Sequence, residues 1–201
     1  MEWLNNDMQP GRIITLDAKH GDDDRFLGTM KLICGTGTSF IDLCSYEARL
    51  TRRLPFADRT YVDISFRNLD NVGPGEQDKF VQADVLGDHP VFNRRYDVAI
   101  CSDGIEHLTK EQGWKLLERM KQLADRQVLF TPLHAWMMDP TNPAPESHKS
   151  LWTPEDLPDW AHISVPEYHP TLGIGAFFFW NCPNLDEDWK RVAKNIRDVW
   201  N

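Results

Sequence analysis

The sequence lacks an apolar run long enough to cross a membrane. Its longest, Gly175 to Trp180, is strand-sized, against the ~18 residues a spanning helix needs. It also lacks positive charge. Its 22 Lys and Arg against 31 Asp and Glu leave a net charge of -9. That argues against a broad nucleic-acid surface, though not against one nucleotide or a chain end. Paired cysteine spacing is missing too. Cys34, Cys44, Cys101 and Cys182 are scattered without C-x-x-C, so buried free thiols are expected rather than zinc or disulfides. The first ten residues, "MEWLNNDMQP", lack the basic-then-apolar order of a secretory signal, which makes the cytoplasm the expected location. Repeats and low-complexity segments are absent. No G-x-G-x-x-G loop follows a strand, since the glycines of "CGTGT" precede one.

What is present is an alternation. Apolar segments at Ser39–Leu43, Thr60–Ile64, Phe80–Ala83, Tyr96–Ser102 and Gln127–Thr131 read as strands. Helices are expected at Glu47–Leu54 and Lys110–Ala124, with a helical turn at Asn68–Asn71 and a loop at "GPGEQDKF". Continuous apolar strands separated by helices predict a doubly wound, mostly parallel sheet covered on both faces. His162–Val165 and Gly175–Asn181 read as an antiparallel hairpin at the sheet edge, which brings the expected sheet to seven strands. Asp186–Trp200 carries an amphipathic stripe with acids in its first turn, a core face or a homodimer face. The chain thus reads as one α/β domain, 1–201. It has a polar lead-in over 1–37, where "GDDDR" is expected to be a solvated turn, and an irregular lid over 134–161. Within the lid, Thr153 and Asp156 suit a capping box.

In an open parallel sheet, ligands bind beyond the carboxyl ends of the strands. Those ends carry acids in series: Asp42 before Cys44, Ser45 and Tyr46; Asp63 before Ile64; Asp84 before Val85; Ser102 before Asp103. Asp63 follows Asp42 at the spacing of a carboxylate that accepts from ribose hydroxyls.

The run "YDVAICSDGIEHLTKEQGWKLLERMKQLADRQVLFTPL" resembles the fourth strand, following helix and fifth strand of class I S-adenosylmethionine-dependent methyltransferases. "FIDLCSYEARLTRRL" aligns without gaps to that family's D-x-G-x-G-x-G turn. "YVDIS" and "VQADVLGD" match its next two motifs in order. The resemblance implies a Rossmann-like methyltransferase fold with S-adenosyl-L-methionine as cofactor. By the family's pattern Asp63 holds the ribose, Asp84 and Val85 frame the adenine, and Ser102 and Asp103 line the methionine end. The departure is in the first motif, where Cys44, Tyr46 and Ala48 stand in place of glycines that permit positive φ. Tyr46 either blocks the methionine end or swings aside. The alternative function is therefore a methyltransferase-like module with a degenerate cofactor site that acts through a partner surface.

Asp103, Glu106 and His107 are the catalytic candidates. They face one cleft if their segment forms a helical turn, and His107 is the natural general base. With His148 they are similar to the metal-binding residues of small-RNA terminal 2′-O-methyltransferases, which use two carboxylates and two histidines. Asp103 replaces a glutamate of that pattern, and the gap to His148 is shorter. Because "EHL" also occurs across the broader family without metal, no metal is assigned from sequence. His134, Trp136, His148 and Trp152 are the expected contacts to the acceptor, a small molecule, sugar or nucleotide offering oxygen or nitrogen.

Overall fold

The structure is a computed structural model that describes residues 12–16, 21–66, 77–135, 138–169 and 171–201. The helical turn expected at Asn68–Asn71, the start of the "GPGEQDKF" loop and Trp136 lie outside the described residues.

The strands are β1 (Ile13–Thr15), β2 (Ser39–Leu43), β3 (Asp58–Asp63), β4 (Asp78–Gln82), β5 (Tyr96–Ser102), β6 (Ala124–Pro132), β7 (Ala161–His169) and β8 (Ile174–Asn181). They form one sheet in the order β1-β7-β8-β6-β5-β2-β3-β4. Only β8 runs against the rest, through its antiparallel pairings with β6 and β7. The expected Rossmann-like sheet is therefore present, with eight strands rather than seven. The added strand is β1, whose Ile14 lies opposite Ile163. It covers what would otherwise be an open β7 edge, so the β7–β8 hairpin lies inside the sheet margin rather than at it.

The chain winds outward through β2, β3 and β4, then crosses back to β5 beside β2. The crevice between β2 and β5 is the switch point of the sheet.

Two apolar layers sandwich the sheet. On one face Phe40, Val98, Ile100, Phe130 and Phe178 pack under α1 (Asp23–Cys34) and α3 (Leu185–Trp200). On the other, Ile41, Leu43, Cys101, Leu129 and Phe179 pack under α2 (Lys110–Leu123) and the lid, through Trp152 and Trp160. Trp200 is buried and its indole N–H donates to Thr29 Oγ1 at 2.9 Å. Trp189 stacks on Trp180. The α3 stripe is thus core packing.

Two sequence expectations are corrected. The lead-in contains α1. "GDDDR" is its beginning, because the Asp22 side chain accepts from the Arg25 N–H at 2.8 Å and caps the helix. Phe26, Leu27, Met30, Ile33 and Cys34 then recur on one buried face, and Gly35 ends the helix at φ 65°. The helix expected at Glu47–Leu54 shrinks to a single 3₁₀ turn, Thr51–Arg53. Leu54 leaves it extended, with φ -72° and ψ 141°, as the residue before Pro55 is driven to do.

Candidate active site

The sequence after β2 folds into an unusual turn. Among the described residues, the non-glycine residues with left-handed backbone are Cys44 (φ 59°), Tyr46 (45°), Ala48 (51°) and Asp103 (57°). Such φ values cost an L-residue about 1–3 kcal/mol each. Three are the positions where the family motif has glycines. The fourth leaves β5 across the same crevice. The turn keeps the path that glycines would allow without having them.

Hydrogen bonds fix this path. The Tyr46 N–H donates to Asp63 Oδ2 at 2.8 Å and the Ser65 N–H to Asp63 Oδ1 at 2.9 Å. The Ser45 N–H donates to the Val62 carbonyl at 3.2 Å. Asp63 therefore holds the turn, while its remaining lone pairs stay available. Tyr46 is 45% exposed, so its ring is not packed into the core, and Ile64 is exposed as well. Asp84 is exposed and accepts from the Leu86 N–H, with Val85 buried next to it. Ser102 is half-buried at the end of β5. From the other side, Arg49 forms a two-point ion pair with Asp23 at 2.6 and 3.0 Å, tying the turn to the start of α1.

Asp42 lies beneath the turn, 1% exposed. Its Oδ2 accepts from Thr51 Oγ1 at 2.6 Å, while Oδ1 has no partner. Burial pushes its pKa up to about 7, against the Thr51 hydrogen bond, and the Asp63 charge adds to the rise. Thr51 went unnoticed in the sequence because it belonged to an expected helix.

A second cluster sits beyond β5 and β6, in the 3₁₀ turn Ile105–His107. Asp103 is exposed, Glu106 buried and His107 half-buried. Glu106 Oε2 accepts from Thr131 Oγ1 at 3.1 Å. Its Oε1 finds no donor, and the adjacent Asp103 carboxyl supplies one only when one of the two acids is protonated. Burial first, then the Asp103 charge, raises the Glu106 pKa well above the usual range. His107 Nδ1 lies 3.3 Å from the Ser147 carbonyl. Of the two neutral tautomers only the Nδ1–H form can donate there, and in that form the other ring nitrogen keeps its lone pair. Thr131 was within reach of sequence reasoning as the end of β6. Ser147 was not, because its place depends on the course of the lid.

The lid delivers His148. The Lys149 and Ser150 N–H groups both donate to the Glu106 carbonyl, at 2.7 and 3.1 Å. His148 is thereby buried against His107, with ring centroids 4.8 Å apart. One ligand atom from each of Glu106, His107 and His148 lies within 4.8 Å of the others. The structure thus brings His148, an expected acceptor contact, beside Glu106 and His107, the set with which the sequence also grouped it. Trp152, also assigned to the acceptor, is fully buried and cannot touch one. It anchors the lid: its indole N–H donates to Ser150 Oγ, and its ring lies under the Lys110 ammonium and against Trp114. Lys110 Nζ also donates to the Leu151 carbonyl and pairs with Asp156, whose carboxylate accepts from the Thr153 N–H. The expected Thr153–Asp156 cap is present and structural. His134 is exposed beyond β6.

The described residues contain no helix long and apolar enough to cross a membrane. No protein-family model matches the chain, and no curated protein matches it in sequence. Solved structures do. The DhpI–SAH complex is 15% identical, with a TM-score of 0.57 over 79% of this chain and 84% of that one. The methyltransferase domain of the bacterial CtHen1-C is 17% identical, with a TM-score of 0.56 over 80% of this chain and 98% of that one. The small RNA methyltransferase HEN1 is 15% identical at a TM-score of 0.54, over 78% of this chain and 24% of its own. At such identities the likeness establishes architecture, and with the switch-point geometry above it identifies this chain as having the fold of the class I S-adenosylmethionine-dependent methyltransferases.

Proposed function

We propose that the protein is an S-adenosylmethionine-dependent methyltransferase whose acceptor offers a hydroxyl oxygen on a small molecule, sugar or nucleotide. The observation that carries this reading is the strained turn. Left-handed backbone at Cys44, Tyr46 and Ala48 is costly, and such strain persists where a ligand site demands it. A turn released from its ligand would be expected to relax to ordinary φ.

The residues present fit the cofactor. The turn offers backbone for close approach, Asp63 retains lone pairs with which it would hold the ribose, and Asp84 and Val85 would frame the adenine. Ser102 and Asp103, at the end of β5, would line the methionine end. Asp42 beneath them has a buried oxygen without a partner. When bound, S-adenosylmethionine supplies a methyl group activated by its sulfonium. The protein's share is chiefly to align donor and acceptor.

Glu106, His107 and His148 fit a divalent cation. Two imidazoles beside a buried carboxylate with an unpartnered oxygen are a donor set suited to a transition metal, and a cation relieves the crowding of Glu106 against Asp103. When bound, such a cation would polarise the acceptor hydroxyl. Asp103, exposed at the mouth, accepts the acceptor's proton. This favours oxygen over nitrogen, and the net charge of -9 favours a small acceptor or a chain end over a long polyanion. The four free thiols agree with a cytoplasmic setting.

Calorimetric titration with S-adenosylmethionine and S-adenosylhomocysteine tests the reading. Binding is expected, and Asp63→Ala is expected to weaken it by about tenfold or more, the worth of a charge-assisted hydrogen bond. No heat from either ligand with folded protein would leave the non-catalytic module as the surviving alternative. Titration of EDTA-stripped protein with Mn²⁺ or Co²⁺ tests the cation directly, with His148→Ala expected to abolish the heat.

A further inference from the structure

The turn after β2 and the end of β5 each hold a thiol that the methyl-transfer reading does not use, Cys44 and Cys101. Strand alternation would direct Cys44 to the face of Phe40, since Leu43 faces the opposite layer. The positive φ of Cys44 breaks the alternation, and the side chain packs instead with the layer that contains Cys101. Cys101 lies one rung beyond the Asp42–Ile100 pairing of β2 with β5. Gly104 shows how near they come. A methyl group there would lie 2.5 Å from Cys44 Cβ and 3.1 Å from Cys101 Sγ. The neighbouring Cys44 thiol, with burial, holds the Cys101 thiol well above the usual range. Cys101 is buried, Cys44 partly exposed, and both are free.

We propose that Cys44 and Cys101 are a reversible dithiol pair, a modification site for a two-electron oxidant such as hydrogen peroxide, whose disulfide clamps the β2 turn to the end of β5. Peroxide transfers an oxygen atom to the accessible Cys44 sulfur, giving a sulfenic acid and one water. The Cys101 sulfur then attacks that sulfur. An S–S bond forms, hydroxide leaves, and it takes up the Cys101 proton as a second water. Both sulfurs are oxidised and both peroxide oxygens reduced. A dithiol reductant reverses the link by exchange. Cys34 is buried in the opposite apolar layer and Cys182 packs against that layer, so neither competes.

The link pulls Cys44 toward β5 and changes the turn that presents the Tyr46 N–H. This consequence, though not the disulfide itself, rests on the proposed cofactor reading.

The full chain is treated with peroxide, denatured, alkylated and mapped by mass spectrometry before and after dithiothreitol. Alkylatable thiols are expected to fall from the four of the reduced chain by a pair, with the peptides carrying Cys44 and Cys101 cross-linked and the loss reversed by reductant. Cys44→Ser and Cys101→Ala are each expected to prevent the link, so that failure of one variant to fold leaves the other as control. Linkage through Cys34 or Cys182, or Cys44 sulfinic acid without a cross-link, overturns the pairing. S-adenosylhomocysteine is expected to bind reduced protein and to lose measurable heat with the oxidised form. Equal binding by both forms overturns the clamp. A cross-link in protein that binds the ligand in neither state leaves the dithiol standing and removes the methyl-transfer reading.

Discussion

At the scale of single residues, the decisive feature is a mismatch between backbone and side chain. Tyr46 has a glycine's φ of 45° and is half-exposed, with its N–H held by Asp63. The substitution that separates strain from function is Tyr46→Gly. Removing Cβ relieves about 1–3 kcal/mol of conformational strain and adds about 0.5–1 kcal/mol of unfolded-chain entropy. The net expected is a gain of about 1 kcal/mol in urea denaturation, with cofactor binding retained. A loss of stability would mean that the ring makes contacts worth more than the strain. The sequence showed which residues occupy the glycine positions and that Asp63 falls in register with them. It could not show that the backbone stays left-handed there, because that depends on the Asp63 carboxylate reaching across from the neighbouring strand.

At the scale of elements, the strands were the most legible. Continuous apolar runs such as Tyr96–Ser102 have one reading in a sheet buried on both faces. Two helical expectations failed for opposite reasons. Glu47–Leu54 had helical composition, but the left-handed turn and Pro55 leave room for only one 3₁₀ turn. Asp22–Asp24 appeared as solvated charge, yet Asp22 is an N-cap. The lid was legible as irregular but not in its course, because what directs it is the Glu106 carbonyl, which accepts from Lys149 and Ser150. Trp152 locks that course; the ring packs so closely on Gly113 that a methyl group there would fall 2.2 Å from it. Trp152→Ala is expected to cost about 3–5 kcal/mol. In hydrogen exchange the Lys149 and Ser150 amides are expected to lose protection ahead of the β5 and β6 amides. If the lid amides keep native protection, the anchor lies elsewhere.

At the scale of the whole molecule, two buried titrations of opposite sign shape stability against pH. Asp42 is raised to about 7 by burial. Its native state binds more protons than the unfolded one, so its stabilising share is complete below the unfolded value near 4 and disappears as pH rises through 7. His162 lies between Phe177 and Phe179, and burial lowers its pKa to about 4. Its unfolded state binds more protons, so its share is complete above about 6.5 and disappears as pH falls toward 4. Between about pH 4 and 6.5 the two slopes oppose each other, and each variant exposes the other's slope. His162→Phe keeps an apolar ring in place and removes the histidine titration. From pH 7.5 to 5 the two shares nearly offset in the wild type, so His162→Phe, left with the Asp42 share alone, is expected to gain roughly 1–2 kcal/mol relative to wild type over that interval, near the 1.36 kcal/mol that one pKa unit is worth. Asp42→Asn keeps an acceptor for Thr51 and is expected to steepen the acid limb by a similar amount. Urea denaturation of both variants at pH 5 and 7.5 decides the matter. Parallel shifts with no change in pH slope would mean that neither the burial of Asp42 nor that of His162 is maintained in solution.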